Sequence, residues 1–303
     1  MSRSSPPDHD PAALPFVSVV IPTRNRAHLL ATCLESLSQQ RYPPDRFEII
    51  VVDDGSLDAT PELVDRVAAR PLPAVRYLPQ APGGVNVARN AGIAAARGDP
   101  ICLLDDDEDV PPGWLSALVD ATRRHPAAGC VGGPVRLRFE APAPRICEME
   151  SWRWENAFDL GTEERVVEHV TGGNLAIRRW ALEEVGAFEP LLSGWGDDAE
   201  WGLRLTRANI QSVYVPSAWL WHRRTREQLR RHVLLRRRFR QGLESVVYAR
   251  FQGRRLSLWA TLWPLPFYLL HAARRRCFGT LMEVARKLGT AWGIVTMRAP
   301  RTR

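Results

Sequence analysis

The chain predicts an α/β fold: a mostly parallel sheet flanked by helices, followed by a basic helical extension. Three observations carry this expectation. Short apolar, β-branched runs alternate with helical patterns over residues 16–104. Polar residues collect just after the runs, at the strand ends where ligands of parallel sheets bind. Charge divides sharply along the chain: residues 222–303 hold 20 Lys and Arg against 3 Asp and Glu, whereas residues 1–221 hold 21 against 31.

The elements follow in order. Phe16 to Ile21 reads as a strand ending at Pro22, and Ala27 to Gln40 as a helix through Leu29, Leu30, Cys33, Leu34 and Leu37. Phe47 to Val52 is a second strand, ending in Asp53-Asp54-Gly55-Ser56. Thr60 with Pro61 marks a helix start, and Leu63, Val64 and Val67 give its apolar face. Val75 to Leu78 is a third strand, Gly84 to Arg97 an Ala-rich helix and Ile101 to Leu104 a fourth strand. Beyond it the pattern loosens. Strands are expected over 129–138, 166–170 and 212–215, and helices over 175–186 and 201–208. Tryptophans cluster between Trp152 and Trp221, where indoles serve either the core or sugar stacking.

Composition bounds the class. At 303 residues, with 45% hydrophobic and 25% charged residues, the chain can bury a full core and is no disordered tail. Its five cysteines show no CxxC or zinc spacing, which argues for a reducing compartment and against a disulfide scaffold. Residues 1–15 are polar and Pro-rich without an apolar segment, and read as a disordered leader. The first strand leads into Pro22-Thr23-Arg24-Asn25-Arg26, nothing like the GxGxxG of a dinucleotide-binding domain.

Asp105-Asp106-Asp107 follows the fourth strand directly, with Glu108 and Asp109 extending the run. Adjacent carboxylates repel one another unless positive charge lies between them. Oxygen ligands spaced i, i+2 suit Mg2+ or Mn2+, ions that bridge to substrate phosphates. The alternative is a solvated acidic loop. It fits poorly between a buried strand and Val110-Pro111-Pro112-Gly113-Trp114-Leu115.

The chain from Val17 to His222 resembles the family 2 glycosyltransferases of the GT-A (Rossmann-like) fold. The resemblance rests on Val17 to Asn25, Val51 to Ser56, Ala88-Arg89-Asn90-Ala91-Gly92, Leu104 to Asp107, Thr171 to Ala176, and Gly196-Asp197-Asp198-Ala199-Glu200-Trp201, in that order. It implies metal-dependent transfer of a sugar from a nucleotide-diphosphate sugar to an acceptor hydroxyl, with inversion. Pro22, Thr23, Arg24, Asn25, Asp53 and Asp54 would line the nucleoside pocket. A carboxylate there can accept the ring N–H of uracil or thymine, favouring UDP or dTDP. Arg89 and Asn90 would reach the nucleotide. Asp105 and Asp107 match the DxD pair, with Asp106 between them. Asp107 would bind Mn2+ or Mg2+ directly, Asp105 would contact ribose or metal, and His222 would complete the shell. Asp198 is the expected general base, with Asp197, which replaces the usual Glu, orienting it. Glu200 would be the base in a shifted register. Gly172, Gly173 and Asn174 would floor the donor–acceptor junction, with Trp195, Glu200 and Trp201 near the sugars.

This places a catalytic domain at 16–222, with a nucleotide-binding half at 16–115 and an acceptor or catalytic half at 116–222. Residues 223–303 form the basic amphipathic extension. There Arg223 to Arg255 reads as helix, and the apolar run Leu256 to Ala273 is interrupted by Pro264 and Pro266 and flanked by Arg254-Arg255 and Arg274-Arg275-Arg276. That run falls short of the roughly 20 apolar residues of a transmembrane helix. It suits an interfacial segment on an anionic membrane, as 279–297 could, or a cap packed on the body. A glycan or lipid-linked acceptor and a cytoplasmic, peripheral position on the inner face of the plasma membrane follow as expectations. No nucleic-acid motif accompanies the arginines. The competing readings are an inactive module that binds nucleotide or glycan as a scaffold, and nucleotidyl transfer, which would want a Gly-rich loop after the first strand.

Overall fold

A computed structural model describes residues 14–70, 73–142, 158–192 and 196–297. The leader expected at 1–15, all but its last two residues, and Trp195 lie outside them. The alternating first half forms as its pattern predicts. β1 (Val17–Thr23), β2 (Phe47–Asp53), β3 (Ala74–Pro79) and β4 (Ile101–Leu104) are joined by α1 (Ala27–Ser38), α2 (Thr60–Ala68) and α3 (Val85–Ala95). They lie in the order β3-β2-β1-β4, all parallel. β1, β2 and β4 are buried along their length, as expected of strands covered on both faces. Gly92 lets α3 lie on the sheet, because a Cβ there would stand 2.3 Å from the Val20 side chain.

The second half completes an eight-stranded sheet and adds a three-stranded one. β5 (Glu108–Asp109) and α4 (Trp114–Arg124) precede β6 (Ala128–Gly132) and β7 (Val135–Phe139). A single strand was expected at 129–138. Gly132-Gly133-Pro134 divides it, and Gly133 is pressed against Ala218, whose carbonyl oxygen would lie 2.2 Å from an added Cβ. β8 (Arg165–Val167) is followed by β9 (Asn174–Ile177), α5 (Arg179–Val185) and α6 (Asp197–Arg207). The helix expected from 175 thus begins as a strand. β9 pairs antiparallel with both β4 and β6, and those pairings override its local preference. β10 (Gln211–Tyr214) runs parallel to β6, and β8 closes that edge antiparallel.

β11 (Leu220–Arg224) is the centre of the small sheet, antiparallel to β5 and parallel to β7. The domain boundary expected after His222 therefore falls inside a strand. α7 (Arg231–Phe251) starts later than the helix expected from Arg223, because Arg223 and Arg224 belong to β11. α8 (Leu258–Leu262), α9 (Leu265–Arg275) and α10 (Phe278–Thr296) follow. α10 crosses α7 closely through small residues: a Cβ on Gly289 would stand 1.9 Å from the Phe239 carbonyl oxygen, and one on Gly242 would stand 2.0 Å from that of Arg286. Cys33, Cys102 and Cys130 are free and buried. Cys277 is disulfide-bonded, which tells against reading every thiol as reduced.

Candidate active site

The site lies at the carboxyl ends of β1, β2 and β4. Register builds its deepest part: β5 pairs Glu108 with His222 and Asp109 with Trp221. That pairing joins two segments more than a hundred residues apart and delivers His222 to the acidic run. The run is not a solvated loop. Asp106, Asp107, Glu108 and Asp109 are all buried, and buried carboxylates persist only with partners or with a proton.

The partners are specific. Asp106 accepts from the Thr23 hydroxyl at 2.8 Å and from Arg26 at 2.9 Å. Burial pushes its carboxyl up to about 6; Asp107 adds to the rise and Arg26 opposes it. Asp107 faces His222 Nε2 at 3.1 Å, Gln228 Nε2 at 3.2 Å and Arg26 at 3.4 Å. Burial works against its charge, but His222 and Arg26 outweigh burial and hold the carboxyl well below the usual range. Glu108 accepts the Asp105 backbone N–H at 2.9 Å. Burial, followed by Asp105's charge, drives its carboxyl well up. Gly173 fits against this pair because a Cβ there would meet Glu108 oxygens at 2.6 Å and an Asp105 oxygen at 2.9 Å.

His222 Nε2 is contested. It stands 3.1 Å from an Asp107 oxygen and 2.7 Å from Arg224 Nη1. One ring nitrogen can donate to the carboxylate or accept from the guanidinium, not both. Burial and Arg224 lower the His222 pKa against the pull of Asp107, which favours the neutral ring. Arg224 is buried, and its Nη2 has no hydrogen-bond partner. Arg237, on α7, is pushed down to about 9 by burial and then by Arg224, with Asp107 opposing.

A second cluster adjoins the first. Arg89, buried on α3, bridges Asp105 at 2.9 Å and Asp197 at 2.5 Å. It thereby ties the acidic run to the first turn of α6, a segment 92 residues away in sequence. Burial pushes Asp197 up to about 6, with Arg89 opposing and Asp198 adding. Asp198 is less enclosed; it accepts the Gly172 N–H at 3.2 Å and the Ala199 N–H at 2.8 Å. Gly172 also passes Arg89, which would lie 3.3 Å from an added Cβ.

At the ends of β1 and β2, Pro22 and Thr23 pair with Val52 and Asp53. Asn25 holds a positive φ of 53° and laces two loops together, donating to Ser56 and accepting from the Leu57 N–H. Arg24 is half-exposed and 3.8 Å from Asp54. Asp54 accepts from Gln80, Gly83 and Gly84, so its oxygens are largely committed to the fold. Asp53 accepts from Ser56 and Tyr77 and retains one lone pair on each oxygen.

Several expected roles are corrected. Asn174 spends its amide on Trp114, Pro134 and Ala218 and is fully buried, so it braces β9 rather than touching a sugar. Asn90 clamps Phe188 in both directions. Trp201 is buried, stacked on Phe188 at 5.5 Å, with its indole N–H on Gly186: a core residue. Glu200 is held at both oxygens by Arg204, which removes it as an alternative base. Asp105 is engaged by Arg89 rather than gathered with Asp107 and His222. Conversely, Arg26, Glu108, Arg224, Gln228 and Arg237 were not expected at the site. The QLRR run and the arginine pairs signal only a basic helix until β11 brings them to Asp107.

Among the described residues no group of three or more His, Cys, Asp or Glu forms a ready metal cage. Asp107 and His222 nonetheless supply an ionised carboxylate and a neutral imidazole, a donor set that Mn2+ accepts. Divalent ions at phosphate sites complete their shells with water and phosphate oxygens, so two protein ligands suffice. The unpartnered Arg224 N–H beside them adds a cationic donor suited to a phosphate oxygen. The residues present fit such an ion.

A mostly parallel sheet with polar loops, an acidic run and a second carboxylate pair at its strand ends is the arrangement of a glycosyltransferase of the GT-A class. The model of glycosyl transferase family 2 matches residues 18–186, and the chain belongs to that family. Glycosyltransferase AglE of Haloferax volcanii is 29% identical over 204 residues, 67% of this chain and 66% of its own length, so the match falls just short of two thirds of that relative. An N-acetylglucosaminyl-diphospho-decaprenol L-rhamnosyltransferase of Mycobacterium tuberculosis is 30% identical over 240 residues, 69% of this chain and 75% of that one. Among solved structures, the mannosyltransferase PcManGT from Pyrobaculum calidifontis, in complex with GDP-Man and Mn2+, superimposes with a TM-score of 0.62 at 19% identity. That likeness of fold covers 93% of this chain and 89% of the other, too large a share to stop at β11.

Proposed function

We propose that the chain moves a sugar from a nucleotide-diphosphate donor, in the uridine or thymidine series, to an acceptor hydroxyl with inversion at the anomeric carbon. The observation that carries this reading is the Arg89 bridge, which joins the acidic run to Asp197 of the Asp197-Asp198 pair in one cluster. The nucleoside rests against residues 22–25, with Asp53 as the remaining acceptor for a pyrimidine N–H. Arg224 and Arg237 bind the diphosphate. Asp107 and His222 hold Mn2+ or Mg2+, which when bound neutralises charge on the departing diphosphate. Asp198 takes the acceptor proton as the hydroxyl oxygen bonds to the anomeric carbon and the bond to the diphosphate oxygen breaks. Asp197, fixed by Arg89, orients its neighbour.

The acceptor is a glycan or a lipid-linked saccharide of glycolipid or cell-envelope synthesis. The relative named for a decaprenol-diphosphate substrate supports the lipid-linked form. The chain is proposed to work in the cytoplasm at the inner face of the plasma membrane. The test is turnover of a panel of UDP-, dTDP- and GDP-sugars with Mn2+, with the product's anomeric configuration read by NMR. An inverted product in one nucleotide series supports the reading. A retained configuration contradicts it, and binding of a nucleotide without turnover of any sugar would favour the scaffold alternative.

A further inference from the structure

In α8, α9 and the outer stripe of α10 the usual rule of burial is reversed. Trp259, Trp263, Phe267 and Trp292 are 70, 59, 62 and 60% exposed. Leu258, Leu262, Leu269 and Leu270 are exposed beside them. In α9 only Ala272 is buried, although the helix is apolar over most of its length. A short helix apolar on most sides is normally enclosed by protein or by lipid. Here its packing partners are α10 and little else.

Three further features join it. Trp259 stacks on Trp263 at 5.2 Å, and Trp263 leans on Phe267 at 6.2 Å, giving a continuous aromatic ridge. A cleft of about 440 Å³ opens along it, lined by Leu258, Trp259, Leu262, Trp263 and Pro266. On α10, Leu281, Leu288, Trp292 and Val295 are exposed at i, i+7, i+11 and i+14, one stripe of the helix. The glycines that meet α7 lie on another face.

Charge selects the occupant. The ridge lies between Arg254-Arg255 and Arg274-Arg275-Arg276, all exposed. None of the five has an ion pair among the described residues. A protein partner's interface core is depleted in charge and would leave these arginines needing acidic partners of matching spacing. An anionic bilayer supplies headgroup charge at any position, and indoles prefer its boundary. No helix among the described residues is long and apolar enough to cross a membrane, so the segment lies in the interface rather than spanning it.

We propose that α8, α9 and the outer stripe of α10 form a docking face for an anionic lipid surface, with the Trp259–Trp263–Phe267 ridge entering the headgroup boundary and the flanking arginines holding it there. The inference does not require the sugar-transfer reading, and the two can fail separately.

The experiment is co-sedimentation of the full chain with phosphatidylcholine vesicles, with and without phosphatidylglycerol. Wild type is expected to bind the phosphatidylglycerol vesicles, less so as salt rises, with a blue shift of Trp emission. Trp259→Ala/Trp263→Ala/Phe267→Ala is expected to lower the partition coefficient about a hundredfold. Arg274→Gln/Arg275→Gln/Arg276→Gln lowers it roughly tenfold or more and flattens the salt dependence. Nucleotide binding without vesicles reports that the variants are folded, and is expected to be unchanged. Failure of wild type to bind, or undiminished binding by the aromatic variant, overturns the proposal. So does a wild-type dimer that the aromatic variant converts to monomer, which would assign the face to a second copy. Vesicle binding by a chain that binds no nucleotide would leave the docking face standing and the sugar-transfer reading fallen.

Discussion

The cleft at the strand ends and the helices after β11 break the same rule in opposite directions. In the cleft, carboxylates and guanidiniums are buried; in α8 to α10, tryptophans and leucines face water. Folding alone rewards neither arrangement. On the proposed readings each anticipates something that arrives later, a charged ligand in one case and an anionic lipid surface in the other. The cleft is also tightly interlocked, through Arg89, Arg26 and the β5–β11 pairing, whereas α8 and α9 hang chiefly on α10. One region should be sensitive to single atoms, the other only to the loss of area and charge.

The sharpest way to break that contrast is Asp198→Asn. If the cleft is a catalytic constellation, turnover falls by on the order of a thousandfold while donor binding persists. A variant with near-normal turnover would show that Asp198 is not the base. Arg224→Gln comes next. Its unpartnered N–H is expected to serve a phosphate, so affinity for a nucleoside diphosphate falls roughly 10- to 100-fold, with a much smaller change for the nucleoside alone. Equal losses for both would place Arg224 in a structural role.

A third effect is one of pH. Asp106's pKa is raised from 3.8 to about 6 by burial, so the folded chain holds its proton more tightly than the unfolded chain. The associated stability is fully present below about pH 4 and lost as pH rises through about 6, a change on the order of 3 kcal/mol. Asp106→Asn, which keeps one acceptor oxygen for Arg26 and can donate its amide N–H to the Thr23 hydroxyl oxygen, should therefore gain in Tm relative to wild type between pH 5 and pH 8, without added metal or nucleotide. A Tm difference independent of pH would contradict the raised pKa.

Legibility followed the range of the interactions. β1 to β4 and their helices could be read from the sequence because apolar period and turn residues are local signals. Asp105 to Asp107 and Asp197-Asp198 stood out because carboxylates crowd there at all. What escaped depended on distant pairing. Arg224 and Gln228 looked like the start of a basic helix until β11 carried them to Asp107. Asn174, Asn90 and Trp201 lie in the right motifs, yet their polar atoms are consumed by Pro134, Phe188 and Gly186, bonds that no spacing reveals. β9 reads as helix in isolation and becomes a strand because β4 and β6 leave a gap for it.

The most direct measurement is calorimetric binding of UDP, dTDP and GDP, with and without Mn2+, to wild type and to Asp107→Ala. The account predicts Mn2+-dependent binding of UDP or dTDP to wild type, weakened about a hundredfold or more in the variant. Nucleotide binding that ignores both Mn2+ and Asp107, or no binding to the folded chain, would contradict it.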